Sequence, residues 1–301
     1  MDVNKNSYTI IFSVIMATVV ALLLSVLYMC VKPKQDKNIE QEKKQNILKS
    51  IGKDVDRPTA ENIYSKFIIE ELVVNSNGTI VNQHRTSFLD SISKGLNLDL
   101  SDIQIDKINK ERAFSIDIAK ELKKDIKDQL LPLYIAELEG EKKYIIPLRG
   151  KGLWGPVWGF IALESDANTI SAAVFDHKSE TPGLGAEINK PIFQDQFPNK
   201  YIYDLSTNKV MFKVVKKGTK QGNYEVDGIG GGTITSDGVS NMIKERFTKY
   251  FKYLSTNKNS DDQNEILSKE EIEKNNDLND NSSNIGDKEE DYINPNLGAK
   301  N

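Results

Sequence analysis

Apolar residues cluster first at the N-terminus, where Thr9 to Val31 carry no charge over 23 positions. At 1.5 Å per residue such a run makes roughly 34 Å of helix, enough to cross a hydrocarbon core of about 30 Å. A cleaved signal peptide would have an apolar region of about 7 to 15 residues ending at a small-x-small site, and neither is present. A lipoprotein signal ending at Cys30 would want a small residue where bulky Met29 stands. The pattern predicts a retained transmembrane helix over 9–31, behind a short N-terminal segment, 1–8. Polar residues then dominate Lys32 to Lys53, with Ile39, Ile47, Leu48 and Ile51 as a loose helical stripe. This predicts a juxtamembrane stalk or lead-in helix over 32–57, with the soluble domain starting near Pro58.

Within that domain, 58–254, the period shifts towards strands. Phe67 to Val74 and Thr79 to Asn82 flank Asn75-Ser76-Asn77-Gly78, a hairpin signal. Leu133 to Leu138 and Lys143 to Leu148 flank Glu139-Gly140-Glu141, and Trp158 to Leu163 and Ile170 to Phe175 flank Ser165 to Asn168. Short strands are predicted at Tyr201 to Leu205 and Val210 to Val215. Between the first two hairpins Phe114, Ile118, Leu122 and Ile126 stand at i+4 spacing, predicting an amphipathic helix from Glu111 to Asp128. A second helix follows Ser236 or Asp237 as cap, with Val239, Met242, Ile243, Phe247, Tyr250, Phe251 and Leu254 on one face. From Ser255 the composition turns to Asn, Asp, Glu, Lys and Ser, too polar to offset its ordering entropy, which predicts a disordered acidic tail over 255–301. The fold class is α+β: antiparallel hairpins with helices packed on the sheet.

Composition narrows the chemistry. The net charge of -4 gives no clustered basic face of the kind nucleic acid requires. Cys30 is the only cysteine, and His84 and His177 are the only histidines. Disulfides within the chain, cysteine-ligated iron–sulfur or zinc sites and multi-histidine metal centres are thereby excluded or disfavoured, and no metal site is predicted. Redox chemistry here would need an organic cofactor.

Two segments carry candidate chemistry. In Val226 to Ser236, the glycines Gly230, Gly231 and Gly232 clear the approach to Thr233, just ahead of a predicted helix N-terminus. Free N–H groups and partial positive charge make such an end a seat for phosphate. No Lys follows as in a Walker loop, and no βαβ unit surrounds it as in a dinucleotide fold. A plain strand-to-helix turn explains the glycines equally well. The other segment pairs the Gly-rich loop Gly150 to Gly155, holding Trp154, with Glu180-Thr181-Pro182-Gly183-Leu184-Gly185. Pro fixes one dihedral and Gly frees the next, so Thr181 to Leu184 is a turn presenting a carboxylate and an apolar face. Trp154, in a loop, is placed to stack on a ligand, its alternative being ordinary packing.

Three runs, Gly150 to Leu163 (GKGLWGPVWGFIAL), Glu180 to Ile188 (ETPGLGAEI) and Asp227 to Val239 (DGIGGGTITSDGV), stand in this order behind one N-terminal anchor. Together they resemble the C-type, covalent-FMN-binding subunit family of sodium-translocating NADH:quinone reductases, over about residues 8 to 254. The resemblance implies FMN joined by a phosphoester to the threonine of a motif similar to Asp-x-x-Ser-Gly-Ala-Thr. Thr233 falls at the modified position and Asp227 at the motif aspartate, with Gly231, Gly232, Thr235 and Ser236 around them. Gly230 stands where Ser is common and Gly232 where Ala is common; both changes are to a smaller residue and keep the hydroxyl accessible. Trp154, Gly155, Glu180, Thr181, Gly183, Leu184 and Gly185 are expected against the isoalloxazine ring and its edge. His177 is expected to be structural.

The family further implies a flavin transferase that takes the FMN unit from FAD, other membrane and flavin subunits of a respiratory complex as partners, and membrane lipid around the anchor. On this reading the protein is an electron relay with no NADH or sodium site of its own and no nucleic-acid partner. The family places its soluble domain on the periplasmic face of the inner membrane, whereas Lys32, Lys34 and Lys37 after the anchor, against Lys5 before it, point to the cytoplasm. The rival readings are the G-type subunit of an ion-translocating ferredoxin:NAD oxidoreductase and a membrane-anchored non-redox binding module. The long stretch 53–149 favours the quinone reductase over the ferredoxin-linked family. A free-standing flavin reductase would need a nicotinamide site that the sequence does not offer.

Overall fold

The computed structural model describes residues 6–96 and 100–256. The predicted acidic tail beyond residue 256 and residues 1–5 of the N-terminal segment lie outside the described residues. Helix α1 (Asn6–Lys49) joins the apolar run and the stalk into one element of 44 residues. Its membrane-length window has a mean hydropathy of 2.9 and buries nothing against the rest of the chain. The other end behaves differently: Ile47 and Leu48 have no exposed surface, and Ile51 just beyond is nearly as buried. These three stalk residues therefore belong to the packed domain, which begins before Pro58.

A short loop leads to α2 (Arg57–Phe67), capped by the Asp56 side chain, which accepts from Thr59 N–H, with Pro58 in the first turn. The chain then enters the hairpin of β1 (Ile68–Val74) and β2 (Ile80–Arg85), followed by α3 (Thr86–Ser93) and α4 (Asp102–Glu111). Strands β3 (Leu131–Leu138), β4 (Glu141–Lys151), β5 (Pro156–Leu163) and β6 (Ile170–His177) complete an antiparallel sheet of order β2-β1-β3-β4-β5-β6. The predicted hairpins pair as read. The β3–β4 turn holds Glu139 and Gly140 at φ 57° and 85°, the left-handed pair that a two-residue hairpin turn requires.

The amphipathic helix predicted over 111–128 does not form. That stretch is a 3-10 turn (Ala113–Ser115), the single-turn α5 (Ile118–Glu121) and a second 3-10 turn (Ile126–Asp128). Two carboxylates draw the backbone of this stretch and its flank to themselves. Glu71, fully buried on β1, accepts from Arg112 and from the backbone N–H of Phe114, while Glu121 accepts from Leu130 N–H. Asp117 caps α5 through Ala119 N–H. A buried carboxylate needs several donors, and the backbone supplies them here by leaving the helix.

After the sheet come α6 (Pro191–Gln194), a two-stranded ribbon of β7 (Tyr203–Asp204) and β8 (Lys209–Val210), and a parallel pair of β9 (Lys213–Val215) with β10 (Glu225–Asp227). Helix α7 occupies residues 233–256. It starts a turn earlier than predicted: Ser236 N–H bonds the Gly232 carbonyl, so Gly232, not Ser236 or Asp237, is the N-cap.

The sheet is buried on both faces. Leu72, Leu133, Ile146, Ile161 and Phe175 pack under α7, whose Val239, Met242, Ile243, Phe247, Tyr250 and Leu254 form the predicted apolar face. Val73, Tyr134, Ile145, Phe160 and Ala162 point the other way, against Ile47 and Leu48 of α1 and Ala60 and Tyr64 of α2. Alternate residues of each strand serve opposite cores, which is why these strands read as near-continuous apolar runs.

Candidate functional site

Three loops converge at one end of the sheet: 152–155 between β4 and β5, 178–185 after β6, and 228–232 between β10 and α7. Glycines permit the convergence. A methyl group at Gly238 of α7 would collide with the Lys151 carbonyl oxygen, and one at Gly150 would lie 2.7 Å from Met242 Cβ. Helix α7 thus rests directly on the backbone at the end of β4, which sets its first turn beside the 152–155 loop.

The result is a cleft of about 360 Å³ lined by Leu153, Trp154, Glu180, Thr181, Leu184 and Gly185 from the sheet side and by residues 231–235 from the helix. Trp154 is 66% exposed, and Leu153, Leu184 and Ile234 are also largely solvent-facing. Four large apolar side chains round one mouth are costly to leave in water and fit a flat apolar ligand. Gly231, at φ 76°, has no room for a side chain, since a methyl group there would stand 2.6 Å from Leu184 Cδ2. Thr181 to Leu184 is the predicted turn: Leu184 N–H bonds the Thr181 carbonyl at 3.1 Å, with Gly183 at φ 75°.

Thr233 opens α7 and is exposed at the cleft. Because the helical ladder begins at Ser236 N–H, the N–H groups of Thr233, Ile234 and Thr235 have no intrahelical acceptor. Three free donors at the positive end of a long helix, capped by a glycine, suit a phosphate oxygen set.

Beneath the cleft lies Glu180, 4% exposed. One carboxylate oxygen accepts from Thr235 Oγ1 at 2.5 Å and the other from Trp154 N–H at 2.8 Å, while Glu180 N–H donates to His177 Nδ1 at 3.2 Å. Burial raises its pKa, but the bonds from Thr235 and from the backbone of Trp154, Leu153 and Gly155 outweigh it and hold the carboxyl below its ordinary value. Methyl groups at Gly152 and Gly185 would each fall 2.6 Å from a Glu180 oxygen. Glu180 is a clasp joining its own loop, the 152–155 loop and the first turn of α7, its oxygens turned to the protein. His177, as expected, has a structural part: it orients Glu180.

Of the residues singled out in the sequence, Trp154, Glu180, Thr181, Leu184, Gly185, Gly231, Gly232, Thr233 and Thr235 line the cleft. Gly155, Gly183, Ser236 and Asp227 do not. Ser236 Oγ accepts from Ile229 N–H, folding the glycine loop onto its own helix. Asp227 Oδ1 accepts from the N–H groups of Gly218, Thr219 and Lys220. Burial raises its pKa, yet these donors and the nearby Lys220 charge bring it below the ordinary value. Its carboxylate organises the 216–220 loop and fixes how the chain leaves β10 towards Thr233. Leu153 and Ile234 were missed; as exposed apolar neighbours of Trp154 and Thr233 they could have been found. Lys217, whose stem would lie 3.3 Å from a methyl at Gly230, had no signal in the sequence.

The family model for an FMN-binding domain matches residues 152–247, a range that includes every cleft residue. Fold and site together define a flavoprotein domain behind one candidate membrane helix among the described residues. The C subunit of the Na(+)-translocating NADH-quinone reductase of Vibrio parahaemolyticus is 30% identical over 229 residues, covering 74% of this chain and 84% of that protein. The protein of the same name from Haemophilus ducreyi is 28% identical over 251 residues, 81% and 91% of the two chains. The crystal structure of the C subunit from Parabacteroides distasonis superposes with a TM-score of 0.61 at 36% identity, over 74% of this chain and 96% of that one. The chain belongs to the family of C subunits of the Na(+)-translocating NADH-quinone reductase.

Proposed function

We propose that this chain is an electron-relay component of a sodium-pumping NADH:quinone reductase, with FMN attached by a phosphoester to Thr233. The observation that carries the reading is the position of Thr233: an exposed hydroxyl on the first residue of α7, beside three free backbone N–H groups and within an apolar-rimmed cleft. The residues fit the group. Residues 233–235 hold the phosphate, and Trp154, Leu184, Leu153 and Ile234 hold the ring. In attachment, Thr233 Oγ forms a bond to the flavin-side phosphorus of FAD and loses its proton, and AMP leaves with the broken bond. A flavin transferase catalyses that exchange. Bound FMN supplies the electron chemistry; the chain supplies position, electrostatics and exclusion of water. Covalent attachment fixes the cofactor relative to its redox partners, the other membrane and flavin subunits.

The soluble domain, 58–254 together with the buried end of α1, is on the periplasmic side of the inner membrane, where such a transferase works. The three lysines after the anchor argue for the opposite side, but Glu40 and Glu42 follow closely and the charge difference is small. The acidic tail 255–301 is assigned no role. The test is to co-express the exported chain with a flavin transferase, denature it and look for flavin fluorescence on the polypeptide. A fluorescent band that vanishes in Thr233→Ala supports the reading; a dark wild-type band beside a transferase active on another substrate refutes it.

A further inference from the structure

A second and larger cavity, about 1080 Å³, lies between the polar half of α1, the 112–118 segment and the far face of β4 and β5. Its walls are mixed: Phe114, Pro147, Trp158 and Phe160 give an apolar, partly aromatic side, and charged residues of α1 and the 112–118 segment line the rest. Its charges are unevenly committed. Asp36 pairs with Lys32, Glu40 with Lys44 and Glu42 with Arg57, while Asp117 caps α5. Arg112 is held by the buried Glu71. Two cations remain without a carboxylate among the described residues: Arg149, and Lys43, which has only the Phe114 carbonyl at 2.5 Å and the Phe114 ring at 4.3 Å.

A half-buried ammonium with no ion pair is expensive, and the cost is visible in its acidity. Burial lowers the Lys43 pKa to about 8, against the upward pull of Glu71 and with the Arg112 charge pushing the same way as burial. Asp117 and Glu40 also face it and also raise it. A pocket of this size, which combines an aromatic and aliphatic wall with charged groups and a perturbed titratable side chain, has the features of a small-molecule site.

We propose that this cavity binds an anionic, planar aromatic ligand, its carboxylate or phosphate on Lys43 and Arg149 and its ring against Phe114 and Trp158. The site is separate from the flavin cleft yet connected to it. Arg149 and Trp158 stand four residues from Leu153 and Trp154 on the same β-hairpin, roughly 13 Å at strand spacing. Occupancy would brace the hairpin that carries the cleft's aromatic wall.

The test is calorimetric titration of the full-length chain in detergent with 2-naphthoate, and with the neutral 2-naphthamide as its isostere. One site per chain is expected at pH 7, with naphthoate bound at least tenfold more tightly than the amide. Lys43→Met and Arg149→Gln should each weaken naphthoate at least tenfold, Lys43→Arg should restore it, and Trp154→Ala should leave it unchanged. Raising the pH from 7 to 9 should weaken naphthoate binding as Lys43 loses its proton, and should not affect the amide. No saturable binding, equal affinity for the amide, indifference to Lys43→Met in a chain shown folded by circular dichroism, or loss in Trp154→Ala would each overturn the proposal. None of these readouts depends on flavin attachment.

Discussion

At the scale of the residue, the proposed chemistry rests on one hydroxyl. Thr233→Ala is expected to abolish flavin loading on denaturing gels, whereas Thr233→Ser, which keeps the hydroxyl, retains part of it. Glu180 acts differently because its oxygens face the protein. In Glu180→Gln the carbonyl can still accept from Thr235, but the amide nitrogen cannot accept from Trp154 N–H. A buried donor left unpaired costs about 1–3 kcal/mol, to be read from the urea midpoint. The sign of the pH effect follows from the lowered pKa. The clasp's contribution is complete above the ordinary value of 4.5 and disappears as pH falls through the folded-state value. Acid titration of stability should therefore show a shallower loss below pH 4.5 in Glu180→Gln than in wild type. Asp227→Ala should lower flavin loading by loosening the 218–220 turn and the exit of the chain from β10; loading equal to wild type would remove Asp227 from the machinery.

At the scale of the element, α7 is the part that must be placed correctly, and glycine contacts place it. Gly238→Ala puts a methyl group into the Lys151 carbonyl and forces the helix away from β4. Overpacking of this kind costs about 1–3 kcal/mol. Its specific signature would be reduced flavin loading at temperatures where the variant is still folded, measured beside circular dichroism. The element scale also explains what the sequence hid. Apolar residues at i+4 spacing from Phe114 to Ile126 satisfied a helical pattern, but Glu71, distant in sequence, claimed the Phe114 N–H, and Glu121 turned to the Leu130 N–H just past the stretch. Periodicity registers where side chains can go and is silent about a buried carboxylate's demand for N–H groups.

At the scale of the whole molecule, the candidate membrane helix and the packed domain share one element. The last turns of α1 supply Ile47 and Leu48 to the core, so the boundary between stalk and domain is a matter of packing. A chain truncated to start at Asn38 should fold, while one starting at Pro58 loses both side chains and about 3–6 kcal/mol, at roughly 1.5–3 kcal/mol each. Denaturant unfolding of the two truncated chains measures the difference. For the orientation, protease added outside spheroplasts should remove the domain, and protection of the intact chain would place it in the cytoplasm instead.

The sequence by itself determined the long apolar N-terminal helix, the three hairpins, the apolar face of α7 and the runs that place the chain in its family. Each of these depends on local periodicity, turn chemistry or contiguous residues, which a linear reading contains. The tertiary structure alone decided that residues from three loops, over 80 positions apart at their extremes, meet at Thr233. It also decided that Glu180 faces inward as a clasp, that Asp227 organises a neighbouring loop, and that Lys43 is left without an ion pair at a second cavity. Those outcomes depend on which donors and charges are brought within a few ångströms by long-range packing, and no spacing along the chain encodes that distance.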